Sequence, residues 1–228
     1  KRYRCSDART EALDRLQYLR SGAALASKRS ISSVVRDMTY QSAIFQASST
    51  LEEYLKQIFD HWLFELKRHS RPGSSIPSRT RFSYLGREFS DSFSRFVHSG
   101  DEQSLAQKLQ ERSNIMDFAM GRSGILPHLT GEIAYKDKKY PSPKNVRALY
   151  ARIGCDNIFD QLSRTLRTDA VLKLQAFNDL RTSIAHGTPP SLTLIDVRQN
   201  LDDVATIIKA LDKISHREFS RDFGGGVW

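Results

Sequence analysis

Residues 168–190 read TDAVLKLQAFNDLRTSIAHGTPP, a stretch with its own start and stop signals. Thr168 and Asp169 are side chains that cap helix N-termini, while Gly187 followed by Pro189 and Pro190 ends one. Between them lies a predicted helix of about five turns. On a wheel of about 100° per residue, Ala176, Phe177, Leu180 and Ile184 share one arc, expected to face the core. Asn178, Thr182 and Ala185 fall on the opposite arc. Arg181 and His186 flank that arc, about 140° apart, so one helix offers a core face and a polar working face.

The rest of the chain supplies matching apolar faces. From Val34 to His69, Met38, Ile44, Phe45, Leu51, Tyr54, Leu55, Ile58, Phe59, Trp62, Leu63 and Leu66 recur every three or four residues, up to a stop at Arg71-Pro72-Gly73. The aromatics of this long helix read as core. Thr193-Leu194-Ile195-Asp196 has capping-box spacing and opens a last helix with Leu201, Val204, Ile207, Ile208, Leu211 and Ile214 inward, expected to pair with 34–69. A short docking helix is predicted over Ser6–Arg20, with a linker or weak helix over Gly22–Ser33. Further helices are predicted over Tyr84–Val97, Glu102–Ile115, after Pro143 up to Gly154, and Asp156–Leu166. No repeat and no convincing strand appears. The expected fold is all-α, one helical bundle over 1–228, with 1–33 as an N-terminal arm, shorter helices and basic loops inserted at 70–145, and a flexible tail at 220–228.

Thirty-five Lys and Arg against 26 Asp and Glu give a net charge of +9, which favours a polyanionic partner such as nucleic acid. Residues 133–147 interleave Lys136, Lys138, Lys139, Lys144 and Arg147 with Tyr135 and Tyr140, the mixture expected along bound single-stranded nucleic acid or, equally, in a solvated basic loop. Cys5 and Cys155 lack metal-ligand or paired spacing, so reduced thiols are expected. Met120-Gly121-Arg122-Ser123-Gly124 lacks the G-x-S-x-G spacing and flanking strand of a hydrolase nucleophile. No apolar run is long enough to span a bilayer and no signal peptide is read at the start, so a cytoplasmic protein is expected.

The segment LRTSIAHG, with LEEYLKQIF on a long helix before it and an amphipathic helix after it, resembles the HEPN superfamily, and within it the RiboL-PSP-type ribonucleases and toxins. The likeness runs from about Tyr40 to Ile214. It implies that Arg181 and His186 form the R-x4-H catalytic motif of an endoribonuclease that uses no metal and no cofactor. It further implies a homodimer whose active site is composite, in a toxin–antitoxin or antiphage setting with an antitoxin or defence-complex partner. Glu52, two residues before Tyr54, matches an acidic position beside the family's active site; it also suits an ion pair with Lys56. Asn178 and Thr182 are candidates for active-site support. Two other readings stand beside these. His186 could cap the negative end of its helix while Arg181 holds a carboxylate, and the chain could be a non-catalytic dimerisation or nucleic-acid-binding module, which Thr182 after the arginine would suit.

Overall fold

Three long amphipathic helices carry the fold, and each begins on a side chain that satisfies its first free N–H groups. The computed structural model describes residues 3–131, 135, 140–187, 190–224 and 228, with ten α-helices and no strand among them, the all-α class expected. In chain order these are α1 (Asp7–Ala26), α2 (Ser33–Arg68), α3 (Ser78–Glu88), α4 (Ser90–Ser99), α5 (Glu102–Glu111), α6 (Ser113–Ala119), α7 (Pro143–Arg152), α8 (Ile158–Leu166), α9 (Ala170–Ala185) and α10 (Leu194–Phe223). The caps are Ser6, Ser32 and Thr193 for the three long helices. The Thr193 cap is a complete box: Asp196 N–H donates to Thr193 Oγ1 at 3.2 Å, and Thr193 N–H donates to Asp196 Oδ2 at 2.8 Å. The Thr193 hydroxyl, which donates to Asp196 Oδ2 at 2.7 Å, and after it the Thr193 N–H hold the Asp196 carboxyl below its ordinary pKa.

Contacts along the long helices fix their directions. Tyr54 meets Asp212, and His69 stacks on Phe223 with ring centres 5.5 Å apart, so α2 and α10 run parallel. Ser6 bonds Asp212 while Arg20 pairs with Asp202 at 2.6 Å, which makes α1 antiparallel to α10. The buried Asp212 carboxylate is the knot of this packing. It accepts from Ser6 Oγ at 2.5 Å, Tyr3 Oη at 2.5 Å and, at 3.5 Å, Tyr54 Oη. Burial pushes the pKa of both tyrosines upward, and Asp212 adds to the rise, so both remain donors. A buried charge costs several kcal/mol unless such bonds replace water, roughly 1.5–3 kcal/mol per bond to a charged group.

Several boundaries differ from those expected. Helix α1 continues through Gly22 to Ala26, because Ala23 and Ala26 are buried and small enough to let α1 and α2 approach. Met38 is exposed, since the buried stripe of α2 starts only at Tyr40. The helix expected at 84–97 begins earlier, at Ser78, and breaks at Phe89, whose ring is buried. That expected at 102–115 breaks at Arg112. No residue of α4 or α5 is buried, and Leu105 and Leu109 are only partly covered. Among the described residues no helix is long and apolar enough to cross a membrane.

Candidate functional site

Helix α9 keeps the framing read from its sequence. The Asp169 carboxylate accepts from Val171 N–H at 2.9 Å and Leu172 N–H at 3.0 Å. At the other end His186 is the C-cap, its N–H bonded to Thr182 O at 3.0 Å, and Gly187 follows at φ 73°, the left-handed conformation that ends a helix cheaply only at glycine. Lys173 pairs with Asp203 at 2.5 Å and ties the start of α9 to α10.

The packed face of α9 differs from the one expected. Its buried residues are Ala170, Leu174, Phe177 and Ile184, while Ala176 is exposed and Leu180 only partly covered. That arc is turned by about 60° from the expected one, and the turn brings Arg181 into it: 177, 181 and 184 stack along a single stripe. An arginine on a packing face needs neighbours that tolerate its charge. Here they are aromatic. The guanidinium carbon lies 5.1 Å over the ring of Phe45 on α2 and 4.3 Å over that of Tyr140. Its Nε–H is buried without a hydrogen-bond partner, and no carboxylate pairs with the group among the described residues. Among the described residues the arginine is therefore held by ring faces, with no carboxylate against its charge.

His186 lies on the other side of the helix and is exposed. Five residues separate it from Arg181, about 140° of rotation and about 7.5 Å of rise; with Arg181 directed onto Phe45, one chain does not bring the two side chains together. Asn178 and Thr182 lie in the arc between them, both half-buried.

Glu52 stands two turns along α2 from Phe45. It pairs with Lys56 at 3.6 Å, with about a quarter of its side chain exposed. Lys56 in turn lies 5.6 Å over the ring of Tyr135. Tyr135, expected at a surface where bases could stack, is instead buried, and its Oη has no partner among the described residues. Burial raises its pKa, with the Glu52 charge adding to the rise. A ring covered on this scale cannot serve as a stacking platform. Gly131 anchors the start of the same segment: its N–H donates to the Asp60 carboxylate, and a Cβ there would meet Asp60 N at 2.6 Å. Gly131, Tyr135 and Tyr140 thus touch in turn the Asp60, Lys56 and Phe45–Arg181 levels of the α2–α9 face.

Of the other basic candidates, Lys144 and Arg147 are exposed on α7, the helix that follows Tyr140, and Arg147 covers Phe159 at 5.2 Å. Lys136, Lys138 and Lys139 lie outside the described residues. Cys5 is exposed and Cys155 buried, both as free thiols; burial pushes the Cys155 thiol up to about 11. Among the described residues no group of three or more His, Cys, Asp or Glu is placed to hold a metal ion. The partner missed in the sequence is Phe45. It stands in the apolar series of α2 like any core residue, and nothing local ties it to an arginine on α9.

An all-helical bundle that presents an arginine and a histidine at the exit of one framed helix defines a recognisable class of protein. The model of the RiboL-PSP-HEPN family matches residues 10–216, and the chain belongs to that family. Membership associates it with nuclease and RNA-related function. No curated protein and no solved structure matches the sequence.

Proposed function

We propose that this protein is a metal-independent endoribonuclease that leaves 2′,3′-cyclic phosphate and 5′-hydroxyl ends, acting as the toxin of a toxin–antitoxin or antiphage system. The observation that carries the reading is the Arg181 guanidinium, packed on ring faces with its Nε–H unpaired and no carboxylate against it among the described residues, on the helix that ends at His186. Such a group is suited to a phosphate.

The reaction needs a base for the 2′-hydroxyl proton, an acid for the leaving 5′-oxygen, and positive charge against the developing phosphorane. One His186 cannot be base and acid in the same step, so the working unit is a two-fold dimer that brings both copies of this helix end to one groove. His186 takes the 2′-hydroxyl proton, O2′ attacks phosphorus, and the P–O5′ bond breaks. His186 of the partner subunit gives its proton to O5′. Arg181 binds the scissile phosphate, while Asn178 and Thr182 orient phosphate or ribose.

Incubating the pure protein with end-labelled RNA in EDTA tests the proposal. Cyclic-phosphate ends should accumulate with wild type and not with Arg181→Ala. The second reading, a non-catalytic nucleic-acid-binding module, is favoured by the separation of Arg181 from His186 within one chain and would be indicated by RNA that is bound but intact.

A further inference from the structure

The aromatic contacts of Arg181 carry a step beyond its chemistry. We infer that Tyr140, together with Phe45, is a positioning residue: the two rings form a seat that fixes the guanidinium where it can meet a phosphate, and Tyr140 is not itself a platform for a base. The kinetic part of this inference rests on the ribonuclease reading; the seat does not.

The closest contact in the cluster is the one to Tyr140, at 4.3 Å. Ring faces hold a guanidinium without using its N–H donors, whereas a carboxylate in the same place would consume both charge and donors. A long side chain with several rotatable bonds otherwise has to be ordered when substrate binds, so a preformed seat removes that cost in advance.

The backbone at Tyr140 is tied to the start of α7, while its ring stays half exposed. Its φ is 70°, in the left-handed region that a bulky side chain rarely enters. Its carbonyl accepts from Ser142 N–H at 2.9 Å and from Asn145 Nδ2 at 3.0 Å, both at the start of α7. Phe45 comes from α2, so two separate elements converge on one arginine. The buried Arg181 Nε–H gives this seat a direct signature, because an N–H over ring faces resonates upfield and exchanges slowly with water.

The experiment compares wild type, Tyr140→Phe, Tyr140→Ala, Tyr140→Leu and Phe45→Leu by two measurements. In proton–nitrogen spectra of the full-length protein, the Arg181 Nε–H should be upfield and slowly exchanging in wild type and in Tyr140→Phe. It should move downfield and exchange faster in Tyr140→Ala, in Tyr140→Leu, which keeps bulk without a π face, and in Phe45→Leu. In cleavage assays Tyr140→Ala should lower kcat roughly tenfold, the equivalent of one such contact, with KM little changed, and Tyr140→Phe should restore most of the loss. An Arg181 resonance indifferent to Tyr140→Ala and Tyr140→Leu overturns the inference. So does a rise in KM with kcat intact, the result a base-stacking tyrosine would give. A wild type that cuts no RNA but loses the Arg181 signature in Tyr140→Ala overturns the ribonuclease reading and upholds the seat.

Discussion

Arg181 and His186 stand on different sides of the same helix: the arginine is packed against Phe45 of α2, and the histidine is exposed at the C-cap. Because the two do not meet within one chain, each has its own expected behaviour on substitution. His186→Ala removes an exposed side chain and should leave the melting temperature nearly unchanged, while RNA cleavage falls roughly 10²–10⁴-fold. Arg181→Ala should lose a comparable rate and also about 1–2 kcal/mol of stability, because two ring contacts go with it. Denaturant unfolding beside cleavage rates checks both. A large stability loss in His186→Ala with cleavage falling only in proportion to the folded fraction would mark the histidine as a cap.

If both histidines of a dimer serve one groove, a dimer with a single His186 lacks either base or acid. Mixing equal amounts of wild type and His186→Ala, with subunit exchange, should leave about a quarter of the activity, the share of wild-type pairs under random association. Chains that work alone would leave the full wild-type contribution. Light scattering should give twice the chain mass at micromolar concentration.

RNA binding should weaken steeply with salt, by roughly 0.7 log units per log unit of salt for each phosphate neutralised. Changing Lys144 and Arg147 together to Glu should reduce that slope by roughly 1.4 if each contacts a phosphate. Both are exposed, so the fold should persist. Fluorescence anisotropy on a non-cleavable deoxy analogue measures the slope without turnover, and an unchanged slope would remove these residues from the interface.

Asp212→Ala should destabilise the bundle by about 2–4 kcal/mol, because Ser6, Tyr3 and Tyr54 lose one shared buried acceptor. The loss should show as early release of α1, which limited proteolysis can follow. Asp212→Asn keeps an acceptor oxygen and should cost less.

Asp222 contributes with the opposite sign. Burial pushes its carboxyl pKa upward, with Arg221 opposing. The folded state therefore holds a proton that the unfolded chain releases more easily, and stability falls as pH rises from the ordinary carboxylate range through the raised folded value. Asp222→Asn should raise the melting temperature near neutral pH and make little difference below about pH 4. Melting curves across that range test it; an asparagine variant less stable at neutral pH would mean that the charge of Asp222 is needed by Arg221.

The sequence by itself determined where the long helices lie and how they end. Ser6, Thr193 with Asp196, and Asp169 cap their own neighbours, Gly187 ends α9 in its own backbone, and the apolar repeat of α2 records one buried face. These are interactions over three or four residues, so they are written locally. Tertiary structure alone decided which side of α9 turns inward. The rotation of a helix about its axis depends on what surrounds it, and a shift of about 60° is less than the about 100° between adjacent residues. That shift took Ala176 out of the core and set Arg181 against Phe45 and Tyr140. The same dependence on distant partners buried Tyr135, which its basic neighbours in sequence had placed at the surface. Basic and aromatic residues interleaved in a loop report composition; which ring covers which charge is fixed only when α2 and α9 pack.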